Sequence, residues 1–305
     1  MNAALQLFLQ QLLNGLTIGM VYALIALGYT MVYGVIQLIN FAHGEVFMVG
    51  AYLAFTVIAV SFSIWPSAPF WVILILLFVF SMAGASVLGA LIEKLAYRPL
   101  RGSPKLAVLI TSIGVSFFLQ NAVMLIYGSK EQSLPEIIPN IQFNFAGISF
   151  SLAQAIIFVV SIGLMFFLTW FVKSTKLGKA MRASAENPEG AQLVGISVNH
   201  IVQVTFMTGS ALAAIGGALF GMYYGSINFH DGYLAGLKAF TAAVFGGIGS
   251  IPGAMVGGLL LGVFEGLGAG YISSEWKDVF AFIILGVVLI LRPSGIMGEN
   301  LSDKV

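Results

Sequence analysis

Asn40, His43 and Glu45 stand in the stretch Ile39-Asn40-Phe41-Ala42-His43-Gly44-Glu45, which sets an amide, an imidazole and a carboxylate between two long apolar runs. Far along the chain Ile227-Asn228-Phe229-His230-Asp231-Gly232 echoes it, with Asn228, His230 and Asp231 as its polar groups. Each copy follows a Tyr-Gly pair, Tyr33-Gly34 early and Tyr224-Gly225 late. Groups of this kind can contact a substrate, relay protons or gate a path, and ionisable side chains in apolar surroundings point to function by default. The same residues also have a structural reading. Asn40 suits the end of one helix, and Glu45 suits the first turn of the next, where the dipole favours a carboxylate. The three His (His43, His200, His230) are scattered and Cys is absent, so neither a metal hydrolase nor thiol chemistry fits. No nucleophile, base and orienting group occur together at workable spacing, and no cofactor is expected.

The elements that carry these residues are membrane helices. Of 305 residues 59% are hydrophobic and 8% charged, against roughly 25% charged in soluble domains. The net charge of +1 gives no argument for nucleic acid. Crossing a bilayer takes about 20 apolar residues. Charge-free windows run over residues 12–38, 46–62, 71–92, 106–127, 152–172 and 201–224, then 233–249, 251–270 and 279–291. The pattern predicts one all-α domain over residues 1–305: a polytopic transmembrane bundle of about 8–9 segments. Residues 1–13 lack the Lys or Arg of a cleaved signal peptide, so the first helix is expected to stay.

Basic residues set the orientation. Lys94, Arg98, Arg101 and Lys105 lie in one loop, and Lys173, Lys176, Lys179 and Arg182 in another. With Arg292 and Lys304, ten of the thirteen Lys and Arg fall on the side read as cytoplasmic. Lys130, Lys238 and Lys277 are left at or near the outer side. The N-terminus is then outside and the C-terminus inside. Asn40, His43 and Glu45 fall at the cytoplasmic ends of helices one and two, and Asn228, His230 and Asp231 at the outer side. An odd number of crossings between the copies makes them candidates for an inverted repeat.

Glycines recur every fourth residue at Gly217, Gly221 and Gly225 and again at Gly258, Gly262, Gly266 and Gly270, a spacing that lets helices approach closely in lipid. Between these stripes residues 246–253 combine glycines with Pro252 and cannot form a continuous helix. Residues 233–249 are therefore expected to enter as a broken, re-entrant segment, and 251–270 to leave again. Glu265 sits beside the second stripe, where it can hydrogen-bond a neighbouring helix or be protonated. The loop 173–200 holds Glu186-Asn187-Pro188-Glu189-Gly190, in which Asn187 suits an N-cap, Pro188 the first helical position and Glu189 the positive dipole end. Gly195 suits the left-handed residue after the last turn. So short a helix needs support from the membrane domain or a partner.

The run NGLTIGMVYALIALGYTMVYGVIQLINFAHGE, the loop ENPEGAQLVGI and KAFTAAVFGGIGSIPGAMVGG resemble the LivH-type permease subunit of bacterial branched-chain amino acid ABC transporters. The similarity runs in order from about Asn14 to Arg292. It implies a complex in the bacterial inner membrane, with membrane lipid around it, built from this chain, a sister permease subunit, two cytoplasmic ATP-binding subunits and a periplasmic substrate-binding protein. It also implies that residues 186–196 form the coupling helix that docks on the ATPase. No G-x-x-x-x-G-K-[ST] stretch occurs in the chain, so ATP would be bound by partners. The expected substrate is Leu, Ile or Val, with urea, amides or another amino acid as alternatives. An ion-coupled secondary transporter relaying protons through Glu45, His43 and Asp231 is the competing mechanism.

Overall fold

A computed structural model describes residues 3–145, 147–292 and 294–298; Lys304 of the charge count lies outside them. Five long helices come first: α1 (Ala3–Ile36), α2 (His43–Ile64), α3 (Phe70–Ile92), α4 (Lys105–Tyr127) and α5 (Leu152–Ser174). Two short ones follow, α6 (Lys176–Glu186) and α7 (Pro188–Leu193). Then come α8 (Val198–Tyr224), α9 (Asp231–Gly246), α10 (Ile251–Tyr271) and α11 (Lys277–Leu291). The strands are small: β1 (Gln132–Ser133) pairs antiparallel with β4 (Ser226–Ile227), and β2 (Gln142–Phe145) with β3 (Ile148–Ser151). They mark a hairpin end of the bundle, opposite a basic end formed by residues 93–105 and 173–200.

Among the described residues seven helices are long and apolar enough to cross a membrane. The α9 and α11 helices, at 16 and 15 residues, are shorter than the about 20 that a straight crossing needs. The bundle is organised around α1 and α8, which are mostly buried, while α4 and α5 turn apolar side chains such as Phe118, Leu125 and Phe166 outward. Along its length α1 packs on α10 through the glycine stripe. A methyl group added at Gly15 would stand 2.7 Å from the Gly262 carbonyl oxygen, and one at Gly19 3.0 Å from that of Gly258. Backbones this close gain dispersion contacts that bulkier residues would forfeit in lipid. Gly225 belongs to no such seam; at φ 73 it caps α8.

The packing repeats itself. Exchanging α1 with α8, α2 with α9, α3 with α10 and α4 with α11 turns the α1–α10 contact into α8–α3, α2–α3 into α9–α10 and α2–α4 into α9–α11, and all of these are made. The two halves run oppositely. Gln10 near the start of α1 bonds Ser149 at the hairpin end, whereas Asn199 near the start of α8 bonds Arg101 at the basic end. This is the geometry of an inverted repeat. Residues 247–250 break the chain between α9 and α10 as the glycine and proline pattern predicts. Gly247 and Gly249 take φ of 109 and 96, and Ser250 Oγ caps α10 by accepting from the Gly253 N–H at 3.2 Å.

Candidate functional site

The two Ile-Asn-Phe stretches adopt one conformation. Asn40 Oδ1 accepts from the Ala42 N–H at 3.1 Å, and Asn228 Oδ1 from the His230 N–H at 3.0 Å. The Asn40 carbonyl accepts from the His43 N–H at 3.0 Å and the Asn228 carbonyl from the Asp231 N–H at 3.1 Å. In both turns the asparagine side chain satisfies the backbone just before a helix begins, a local competition that asparagine favours. Asn40 therefore belongs to the start of α2, and α1 ends earlier, at Ile36.

Charge counting places the copies at opposite sides of the membrane; in the structure the two stretches meet where α2 crosses α9. Tyr97 Oη donates to Asn40 Oδ1 at 3.0 Å near the basic end, but Glu45 Oε1 accepts from Ser116 Oγ at 3.1 Å, halfway along α4. On the other copy His230 Nδ1 lies 2.8 Å from Gln120 Nε2, one turn of α4 nearer the hairpin end. Between them α2 crosses α9, with Gly44 against Gly232 and Gly236. The physical reason is chain reversal. Gln37, at φ 52, turns the chain back after α1 so that α2 starts inside the bundle, and the segment after Gly225 does the same for α9. Asn40, His43 and Glu45 are buried, and the His43 ring stands edge-on to Tyr29 with centroids 4.8 Å apart. His43 Nε2 and Glu45 Oε2 have no hydrogen-bond partner among the described residues. Asp231 Oδ2 accepts from the Asn228 N–H at 2.7 Å, so it closes its own turn. His43 and Asp231 do not touch in a continuous proton chain among the contacts seen.

Two ion-pair clusters escape the sequence reading. Lys238, expected near the outer side, is buried on α9, where Nζ lies 2.8 Å from Glu265 Oε1, 2.5 Å from Asp278 Oδ1 and 3.2 Å from Tyr22 Oη. Tyr22 Oη donates in turn to Glu265 Oε2 at 2.9 Å. Glu265 is thus a paired carboxylate between α1, α9 and α10. At the basic end Glu93, fully buried, is held by Arg98 Nη2 at 2.8 Å and by Arg101. The single carboxylate is thus shared by two of the loop's positive charges and offsets one of them. No local spacing signals the Lys238 cluster, because its partners come from three other helices, whereas the Glu93 cluster is made within eight residues.

The loop 173–200 folds as its caps predict. Asn187 Oδ1 accepts from the Gly190 N–H at 2.9 Å, Pro188 opens α7, and Gly195 takes φ 85 while Ile196 N–H returns to the Ala191 carbonyl at 2.9 Å. Glu186, Asn187, Pro188 and Glu189 are exposed, Gly190 half-buried and Gly195 exposed. Ala191 anchors the helix, and Leu193 and Val194 project outward at 89% and 77% exposure.

Long apolar helices wrapped around a buried polar turn and an inverted repeat define a multi-pass membrane protein of the transporter class. The model of the family described as branched-chain amino acid transport system / permease component matches residues 11–289, and the chain belongs to that family as a LivH-type permease. It is 52% identical over 303 residues, 98% of each chain, to the high-affinity branched-chain amino acid transport system permease protein BraD of Pseudomonas aeruginosa. It is 47% identical over 303 residues, again 98% of each chain, to LivH of Salmonella typhimurium, which carries the same description. The probable branched-chain amino acid transport permease protein LivH of Methanocaldococcus jannaschii is 33% identical over 91% of this chain and 88% of its own. These relatives are permease subunits and not enzymes.

Proposed function

We propose that this chain is the translocation subunit of an ABC importer that carries Leu, Ile or Val into the cytoplasm. It forms one membrane domain in a bacterial inner membrane, with the basic end facing the cytoplasm and the N-terminus outside. A sister permease subunit, two ATP-hydrolysing subunits and a periplasmic binding protein complete the machine. The observation that carries this reading is the capped helix α7 at the basic end, which presents Leu193 and Val194 to a partner. Paired Arg98 and Arg101 stiffen the neighbouring end of α3, so a push on the loop reaches the bundle. Buried Asn40, His43 and Glu45, together with Asn228, His230 and Asp231, act as the gate at the crossing of α2 and α9. The test is uptake by the reconstituted complex. Asn187→Pro or Gly190→Trp is expected to abolish uptake while the subunit remains inserted; normal transport by both would remove the coupling role. Uptake by this chain alone, driven by a proton gradient without ATPase, would instead establish the ion-coupled mechanism.

A further inference from the structure

A cavity of about 240 Å³ opens at the hairpin end where α1, α8, α9 and α11 meet. Its polar wall carries Lys238 and Lys277 beside Asp231, Asp278 and Glu131, and its apolar wall carries Phe220, Leu234 and Ala235. Glu265 is not part of the wall; it stands behind Lys238 and holds that ammonium in place through a 2.8 Å contact. Lys238 has three donors, and all are used, by Tyr22, Glu265 and Asp278. Asp278 differs from the other two partners. Its side chain is 35% exposed, against 6% for Glu265, so it can swing off while Glu265 stays.

We propose that this cavity is a transient binding site for a zwitterionic α-amino acid, which enters by exchanging its two charges with the Lys238–Asp278 ion pair. The ligand's carboxylate takes the place of Asp278 on Lys238, and its ammonium is received by the released Asp278 together with Asp231. The apolar side chain rests on Phe220 and Leu234. One ion pair is traded for two, so no buried charge is left alone, and leaving a buried charge unpaired is the large cost in such sites. A neutral amide cannot split the pair without that cost. An amine lacking the carboxylate leaves Lys238 with Glu265 but one donor short, and an acid lacking the ammonium strands Asp278. Because the empty site closes on its own ion pair, the ligand is held weakly enough to move on. The cavity also adjoins the gate, since Asp231 is followed by Gly232, which packs against Gly44.

This inference rests on the amino-acid importer reading, and one experiment separates the two. The complete transporter is reconstituted in proteoliposomes and supplied with a diazirine analogue of leucine, then illuminated, and the adducts are mapped by mass spectrometry. If the analogue is not taken up with ATP, the importer reading itself fails. If it is taken up, adducts are expected within residues 220–238 and 271–282. Leucine should compete them away, and leucinamide or 4-methylpentanoate should not. Adducts confined to other segments, or equal competition by leucinamide, would overturn the site. Leu234→Trp is expected to remove the labelling. Asp278→Asn should raise KM for uptake by roughly tenfold or more, with Asp278→Glu restoring most of it; an unchanged KM in Asp278→Asn counts against the exchange. The labelling map of the unaltered protein decides the matter even where a variant fails to assemble.

Discussion

Gly44 and Gly232 hold equivalent places in the two Ile-Asn-Phe turns, and they press against each other where α2 crosses α9. A methyl group added at Gly232 would stand 2.8 Å from the Gly44 carbonyl oxygen, and one at Gly236 2.8 Å from the Gly44 Cα. The crossing therefore lies close to the axis that relates the halves of the repeat, and a movement of one turn displaces the other directly. Larger side chains here cannot be absorbed by rotamer change, because the obstacle is backbone. Gly44→Leu and Gly232→Leu are each expected to destabilise the protein by about 1–3 kcal/mol or more. A thermal melt in detergent checks this, and an unchanged Tm in either variant would show that the crossing has slack.

The Lys238 cluster predicts an order of effects. Lys238→Met strands Glu265 and Asp278 together, whereas Glu265→Gln leaves Lys238 with Asp278. The lysine substitution should cost about 3–5 kcal/mol, as expected for one partner lost from a buried pair. Glu265→Gln should cost clearly less. Folding yield and Tm of the two variants, measured side by side, decide the order; equal losses would mean that Asp278 contributes nothing.

At the basic end Glu93 carries two arginines, and Arg101 also bonds Asn199 at the start of α8. Glu93→Gln is expected to loosen the end of α3 and expose the loop 98–104 to protease. Cleavage after Arg101 in the intact complex would be faster than in the unaltered protein, and unchanged cleavage would assign the strength of this corner to other contacts.

The proposed function assigns His43 and Glu45 to a gate and leaves recognition to other residues. His43→Ala and Glu45→Gln are expected to change the rate of uptake without changing which amino acid is preferred. Competition among leucine, isoleucine, valine and alanine measures the preference. A reordered preference in either variant would put the substrate pocket at Glu45.

Hydrophobic windows made the helices legible, because apolar length alone selects spanning segments. The pattern of Gly246 to Gly253 also located the break between α9 and α10. Depth was harder to read. Charge counting assumes that every polar turn between helices reaches a surface, and the turn at Asn40 does not; it satisfies its backbone with its own side chain and so can stay inside, whereas the matching turn at Asn228 leaves His230 exposed. The pairing of Lys238 with Glu265 was illegible for a different reason. Their separation of 27 residues carries no periodic signal, and only the packing of α9 on α10 brings them together.

The glycine seam joins the first long helix of the chain to one of the last. During synthesis α1 reaches the membrane with its glycine face bare and waits until residues 253–270 have emerged. Insertion order and packing order are thus reversed for this helix, and the unfinished protein presents the ribosome's insertion machinery with an adhesive stripe that any small-residue helix can match. Substitutions along the seam are therefore expected to appear first as faults of biogenesis and only later as faults of transport.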